Sequence, residues 1–538
     1  MPPGVTALYG WSEPATKVVQ VDEAGSSILR PVASLDELVV RASELRGEEP
    51  ALHFHGRQIP YVELAERVRR TAAALHGLGV EREDRVAMLV GNVPEFLYAL
   101  YGTVALGAVA APLNVMLTPE EVGYILADAE AKVVVAETDF LPTVLAVRDR
   151  VASIESVVVV GPPPVPRRTH SLEEMITRGG EAPEVDVGED DLAVLAYTSG
   201  TTAEPRGAML THGNLLANLE QLGAVPALAE AASDVILLAL PLFHLYGLNA
   251  VLNFMLRVAA TGVLVERFDP VETLRLVERY RVTVLCGVPP MFRAWVDAAE
   301  SRDFDLSSVR LAISGAAALP TELLDAFRER FGLSIWEGYG LTETGPAVTT
   351  NALAPEPRPG SIGLPLPGVE VRLLAGDREE PEEGDTGEIV VRGPNVFRGY
   401  WRRLGETEAA FLQDGWFRTG DVAYGDEDGF MYLVDRKKDL VIVSGFNVFP
   451  KEVEELVATH PAVAECAVVG VPDERTGEAV RALVVLRPGA KVTAAQIVDH
   501  CRATLARFKC PREVVFVDRL PKHVTGKVMR RELREEEA

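Results

Sequence analysis

Cysteine is scarce in this chain: four occur in 538 residues, Cys286, Cys466, Cys501 and Cys510. No pair has C-x-x-C spacing, and the density is far too low for a disulfide scaffold. They read as reduced, buried or incidental thiols. The nine histidines include no H-E-x-x-H pair, and no G-K-[ST] closes a Walker-type phosphate loop. The opening residues, MPPGVTALYGWSEPATKVV, have no basic-then-apolar leader pattern, so a cytoplasmic location is expected. Basic side chains number 53 against 79 acidic ones, a net charge of −26. That excludes nucleic acid held by bulk charge, which needs a positive footprint. Long unbroken hydrophobic runs are missing as well. Phe96 to Leu117 and Val235 to Leu256 are uncharged, but Gly102, Gly107, Pro112 and Asn114 interrupt the first. Pro241, His244, Gly247, Asn249 and Asn253 interrupt the second. A spanning helix needs about 20 continuous apolar residues. Each stretch parses better as a buried strand or helix on either side of a turn. Peripheral membrane contact and the oligomeric state, a homodimer included, stay open.

What is present is ordinary globular material, 48% hydrophobic and 25% charged, long enough for three or four domains. The charge is unevenly divided. Residues 1–435 hold 35 basic and 64 acidic side chains, net −29, whereas residues 436–538 hold 18 and 15, net +3. A phosphate-rich ligand is expected to meet the second part. Strands are expected at Arg85–Val90, Lys132–Ala136, Ser156–Val160, Leu192–Tyr197, Asp234–Ala239, Thr261–Val265, Val282–Cys286 and Val309–Ser314. Helices are expected between several of them, at Pro94–Gly107, Pro270–Tyr280 and Thr321–Phe331. This alternation predicts an α/β fold with parallel-rich sheets covered by helices, whose ligands sit at the carboxyl ends of strands. From about Gly368 to residue 435, Val369–Leu374, Gly387–Arg392 and Phe430–Val434 predict a small antiparallel β subdomain. Residues 436–538 read as a small α+β domain, with strands Val463–Val469 and Val480–Leu486 and helices Lys451–Ala458 and Thr493–Arg507. Gly161–Pro166 and Asn351–Gly360 read as surface loops.

Chemistry concentrates in a few places. Tyr197-Thr198-Ser199-Gly200-Thr201-Thr202-Ala203-Glu204-Pro205-Arg206-Gly207 follows a strand. Glycine lets the backbone approach a ligand, successive N–H groups form an anion-binding nest, and the hydroxyls and Arg206 add donors. The run fits a triphosphate tail, or else a plain polar turn. In Glu337-Gly338-Tyr339-Gly340-Leu341-Thr342-Glu343, Tyr339 offers a flat face to a purine. Thr342 offers a phosphate contact, and Glu343 offers a hard carboxylate for Mg²⁺. Asp421, in Thr419-Gly420-Asp421, is placed to accept from ribose hydroxyls. Lys527, in Thr525-Gly526-Lys527, carries a mobile ammonium suited to charge developing on a transferring phosphoryl group.

Taken in order, YTSGTTAEPRG, PLFHLYG, EGYGLTETG, WFRTGDV, VDRKKDLVIVSGFNVFPKEVE and TGK resemble the adenylate-forming enzymes. These are the acyl-CoA synthetases, the adenylation domains of nonribosomal peptide synthetases, and the luciferases. The segment from Trp416 to Val457 looks most like bacterial fatty acyl-CoA synthetases. The resemblance implies a two-step reaction, in which a carboxylate attacks the α-phosphorus of ATP and coenzyme A then takes the acyl group from the adenylate. It implies that Thr198, Ser199, Gly200, Thr201, Thr202 and Arg206 hold phosphates, with Thr198 and Glu343 at Mg²⁺. Gly315, Ala316, Ala317, Glu337, Gly338, Tyr339 and Gly340 would border the adenine, and Thr342 would touch the α-phosphate. Asp421 and Arg436 would hold the ribose, and Lys527 would stabilise the transition state. Lys438 matches a hinge between a large domain, 1–435, and a mobile cap, 436–538. Ser444, Gly445, Phe446 and Asn447 would line the pantetheine tunnel. Phe243, His244, Gly315 and Gly340 would border the acyl group, and pocket walls are also expected after Pro290. His244 would separate the two half-reactions.

The phosphate loop departs from the family's T-T-G-x-P-K-G at Ala203 and Arg206. Ala203 narrows the backbone options, and Arg206 exchanges a compact ammonium for a planar fork. Three alternatives accompany the fatty acyl-CoA ligase: an aryl-CoA ligase, a stand-alone ligase that loads a carrier protein, and a non-catalytic nucleotide-binding module.

Overall fold

A computed structural model of the chain describes residues 32–538 apart from 163, 199–204, 229–232, 300–302, 376–385, 437–440, 444–445, 474–475, 503–504, 506, 523–527, 531–532 and 534–538, and apart from the side chains of 299, 435, 436, 442, 446, 447 and 477. Among these residues, two large mixed sheets dominate. In the first the order is Leu364–Pro365, Ala347–Thr350, Ile335–Gly340, Leu311–Ser314, Val284–Gly287, Val235–Leu238, Thr261–Leu264, Pro50–Phe54, Arg57–Pro60. From Ile335–Gly340 across to Pro50–Phe54 the strands run parallel. The second sheet is Gly399–Tyr400, Arg206–Thr211, Leu192–Thr198, Val109–Pro112, Arg85–Leu89, Ala131–Glu137, Ser156–Val160, His170–Ser171. Its central strands are parallel, as their continuous β-branched runs predict. Leu192–Thr198 and Arg206–Thr211, in contrast, form an antiparallel pair. The strand before the hydroxyl-rich loop therefore turns straight back on itself.

The two uncharged stretches divide as their interruptions predict. Pro94 starts the helix Pro94–Val104, every residue of which from Phe96 to Val104 is buried. Gly107 then turns the chain, at φ +66°, into the strand Val109–Pro112. A helix buried all round belongs to a core, here the one shared by both sheets. In the second stretch the strand Val235–Leu238 is followed by a wide π-helical segment, Tyr246–Asn253, continued by Phe254–Arg257. No helix among the described residues is long and apolar enough to cross a membrane. The segment after Thr350 corrects the surface-loop expectation at its start. Asn351 and Ala352 are buried, because Asn351 donates to the Ser361 carbonyl (2.6 Å) and accepts from the Arg358 amide (3.0 Å).

A smaller antiparallel sheet follows, in the order Glu370–Leu374, Gly387–Arg392, Phe417–Gly425, Met431–Arg436. The last part of the chain has its own sheet, Phe446–Val448, Val441–Val443, Gly477–Leu486 and Val463–Asp473, with Glu513–Phe516 parallel to Gly477–Leu486. Helices Pro450–Ala458 and Ala494–Arg502 cover it. Of the second helix, expected at Thr493–Arg507, residues 503, 504 and 506 lie outside the described residues. The Lys451 ammonium donates to the Leu433 carbonyl (2.7 Å), tying the start of the first helix to the preceding sheet.

Candidate active site

The carboxyl ends of the parallel strands open into one cleft of about 2340 Å³. Thr198, Arg206, Phe243, His244, Gly315, Ala316, Ala317, Glu337, Gly338, Tyr339, Gly340, Thr342, Glu343 and Asp421 all line it. Ser199, Gly200, Thr201, Thr202, Lys438, Ser444, Gly445 and Lys527 lie outside the described residues, as do the side chains of Arg436, Phe446 and Asn447.

Local chemistry explains why these side chains converge. Ile335–Gly340 delivers Glu337, Gly338 and Tyr339 to the cleft, and the chain then makes the tight turn Thr342–Thr344. A Cβ at Gly340 would stand 1.8 Å from the Pro346 carbonyl, so only glycine fits where the two ends of the turn meet. Buried asparagines clamp the turn from three sides. Asn395 donates to the Thr344 carbonyl (2.7 Å), Asn249 to that of Gly345 (2.6 Å), and Asn218 to that of Ala347 (2.8 Å). Asn249, one of the residues that breaks the second uncharged run, therefore helps place Thr342 and Glu343. Ala316, just beyond Leu311–Ser314, adopts a left-handed φ of +66°. That conformation costs a non-glycine residue of order 1 kcal/mol and is typical of a ligand-facing turn.

Tyr339 and Asp421 meet directly, the phenol donating to Asp421 Oδ2 at 2.7 Å. In register, Asp421 stands opposite Arg436 on the neighbouring strand. Two candidates for one nucleoside thus share one wall. Glu343 is buried, and its Oε1 accepts from the Tyr400 hydroxyl (2.9 Å). Thr198 Oγ1 is buried with no hydrogen-bond partner among the described residues. No cluster of three or more His, Cys, Asp or Glu side chains able to hold a metal occurs among them. A single carboxylate with a nearby hydroxyl is not a protein cage. It fits Mg²⁺, which takes one or two carboxylates and completes its shell with water and substrate phosphates.

Arg206 also has protein partners within the cleft. Its Nη1 is 2.9 Å from Glu406 Oε2, and its guanidinium lies 4.3 Å over the Tyr400 ring. Its Nε is buried without a hydrogen-bond partner among the described residues. Tyr400 and Glu406 were not legible as site residues. The only signal is the aromatic FRGYW, and that is a common texture of cores.

Glu337 is almost fully buried, with its Oε1 accepting from the Leu319 amide (3.1 Å). Burial pushes its carboxyl up to about 7, against the pull of that amide and of the Lys451 charge. A carboxyl raised in the folded state stabilises below its unfolded value near 4.5, and that contribution is lost as pH rises to about 7. The shift corresponds to about 3 kcal/mol. Glu337→Gln keeps the acceptor but not the charge. Its melting temperature relative to the unsubstituted protein is therefore expected to be clearly higher at pH 8 than at pH 5. The same difference at both pH values would contradict the assignment.

The cleft also runs inward. Val284, Cys286, Ile236 and Ile313 line it from one face of the first sheet, and Ala250, Val251 and Phe254 from the helical segment above. Register aligns Val284 with Ile236 and Leu311, and Cys286 with Ile313. Gly315 and Asp234, both on the lining, stand six strand positions apart along this register, about 20 Å. Ser314, Thr349 and Thr350 belong to the same lining, as does Asp234, which accepts from Thr283 Oγ1 (2.7 Å) and Arg310 Nε (2.8 Å). The residues around Pro290, expected on the acyl wall, border the cleft on its other side. Pro290 and Met291 line a separate cavity of about 380 Å³. That cavity shares Met116, Phe243, His244, Tyr246 and Ala316 with the cleft, so His244 stands on the seam between the two.

Residues 39–401 match the AMP-binding enzyme family, and residues 452–527 match the AMP-binding enzyme C-terminal domain. A long-chain-fatty-acid–CoA ligase of Bacillus subtilis is 34% identical over 537 residues, 94% of this chain and 95% of that protein. A feruloyl-CoA synthase of an Amycolatopsis species is 39% identical over 500 residues, 92% of this chain and 97% of that one. The crystal structure of ATP-bound MatB from Rhodopseudomonas palustris is similar with a TM-score of 0.85 at 36% identity, over 93% of this chain and 98% of that one.

Proposed function

Because the chain belongs to the AMP-binding enzyme family and is an AMP-forming acid–thiol ligase, we propose that its acid is a medium- or long-chain fatty acid and its thiol that of coenzyme A. The observation that carries the acid is the row of apolar side chains Ile313, Cys286, Val284 and Ile236 that lines the cleft between Gly315 and Asp234, a span of about 20 Å. A slim alkyl chain fills it, and each buried methylene contributes about 0.8 kcal/mol. A single aromatic ring would occupy only its upper part.

In this reading the acid's carboxylate attacks the α-phosphorus, the bond to pyrophosphate breaks, and coenzyme A then displaces AMP from the adenylate. No protein nucleophile takes part, so the chain works by position and electrostatics. The Tyr339–Asp421 wall holds the nucleoside, with Arg436 opposite Asp421. Thr198, the loop 199–202 and Thr342 hold phosphate oxygens. Glu343, with Thr198 beside the phosphates, would hold Mg²⁺, which when bound draws charge from the departing pyrophosphate. Lys527 carries the balancing charge at the reacting phosphorus. The division between 435 and 436, with Lys438 as hinge, lets the cap then withdraw Lys527 and bring residues 444–447 to the thiol's path. The smaller cavity beside His244 suits the pantetheine arm, because a thiol leaving it at the His244–Ala316 seam meets the head of the acyl channel.

AMP release with ATP, Mg²⁺ and CoA, measured across short, medium, long and aromatic acids, tests the assignment. The kcat/KM is expected to rise with chain length into the long-chain range and to exceed that of cinnamic acids. An aromatic acid that outperforms every alkyl acid would overturn it. Free CoA is expected to be a better acceptor than a carrier protein's phosphopantetheine, and the reverse would favour a carrier-loading ligase.

A further inference from the structure

Glu343 does not stand alone in the cleft. Its Oε1 accepts from the hydroxyl of Tyr400, and its backbone carbonyl accepts from the Phe397 amide (2.9 Å). Tyr400 belongs to the short strand Gly399–Tyr400, which pairs with Ala208 and Met209, two and three residues beyond Arg206. The Tyr400 amide donates to Thr407 Oγ1 (2.9 Å). Its ring packs edge-on against Phe397, and its other partner is the Arg206 guanidinium. Arg206 is in turn anchored on Glu406, one residue before Thr407. An unbroken line of contacts therefore runs from the strand that leaves the phosphate loop to the carboxylate across the cleft.

We propose that Tyr400 is a positioning residue that fixes the Glu343 carboxylate for its cation, and that Arg206 and Glu406 clamp Tyr400 in place. The inference rests on the reading of Glu343 as the Mg²⁺ carboxylate. A free carboxylate rotates and presents either oxygen. With Oε1 committed to the phenol, the carboxylate is held in a set orientation with Oε2 left for the cation, and no ordering is left for the moment of binding. Partners of this kind typically change metal affinity by about 10- to 100-fold. The line also explains the departure at position 206. A planar guanidinium can stack on the ring while its edge bonds Glu406, whereas a lysine ammonium has no face to stack with.

The test is Mn²⁺ binding to the enzyme–ATP complex, followed by electron paramagnetic resonance, with Mn²⁺ in the place of Mg²⁺. Tyr400→Phe keeps the ring and removes the hydroxyl. It is expected to weaken Mn²⁺ by about 10-fold or more, to leave the melting temperature nearly unchanged, and to regain its pyrophosphate-exchange rate at high Mg²⁺. Arg206→Lys is expected to show a smaller shift in the same direction. If Glu343→Gln weakens Mn²⁺ and Tyr400→Phe does not, the positioning role is overturned while the metal carboxylate stands. If Glu343→Gln has no effect on Mn²⁺, the reading of Glu343 itself fails, and the inference fails with it. A Tyr400→Phe defect that excess Mg²⁺ does not relieve also overturns the proposal.

Discussion

Lys527→Ala is expected to reduce acid-dependent ATP–pyrophosphate exchange by about 10²–10³-fold or more, the usual loss when one group stabilising transition-state charge is removed. Thioester formation from supplied acyl-adenylate and CoA is expected to stay near the unsubstituted rate. The asymmetry follows from the reaction. Adenylation develops charge on the α-phosphorus as pyrophosphate leaves, and an ammonium near that phosphorus acts only then. In the proposed cycle, thiol attack on the adenylate follows a turn of the cap that carries Lys527 away. Lys527 stands in a near-neutral segment of net +3, beside a large part of net −29. Lys527→Arg keeps the charge and alters the reach, so a partial rate is expected for exchange alone. Equal loss of both half-reactions would contradict the role.

Ala250→Trp is expected to convert a long-chain enzyme into a short-chain one. Ala250 stands in the helical segment Tyr246–Asn253, about one turn after Tyr246, and lines the same cleft as Cys286 and Ile313. An indole at that depth leaves the head of the channel open and shuts out the distal methylenes. Excluding four of them removes about 3 kcal/mol of binding, or roughly 200-fold in kcat/KM. Acids too short to reach Ala250 are expected to keep most of their rate. A uniform fall for all chain lengths would show that the alkyl chain takes another path. Measuring kcat/KM for acids of increasing length with both proteins decides between the two.

Much of the fold could be read locally. Pro270–Tyr280 was legible to the residue because its signals are local: Asp269 caps the helix by accepting from the Glu272 amide (2.8 Å), and Pro270 occupies the first turn. The run SVVVV gave the strand Ser156–Val160 just as directly. The hairpin Pro50–Phe54 with Arg57–Pro60 was not legible. Its turn is His55-Gly56, both with positive φ, where an Asn-Gly or Asp-Gly would have marked it. The site divides the same way. Tyr339 and Asp421, 82 residues apart, could each be picked out from a glycine-flanked motif, but their hydrogen bond could not. Tyr400 and Glu406 carry no glycine or hydroxyl signature, and they acquire a role only through tertiary contact with Arg206 and Glu343. The channel was hidden for another reason. Ala250, Val251 and Phe254 have the apolar spacing of any core helix, and only the space in front of them distinguishes a lining from a filling.

In the proposed reaction one cleft activates a fatty acid on ATP before any thiol is bound. Pyrophosphate exchange into ATP, measured with Mg²⁺ and a long-chain acid but no CoA, is the decisive measurement. Exchange is expected to require the acid, with AMP release and acyl-CoA formation once CoA is added. Absence of exchange with acids of every length and type, from protein that still binds ATP, would contradict it and leave a nucleotide-binding module in place of a ligase.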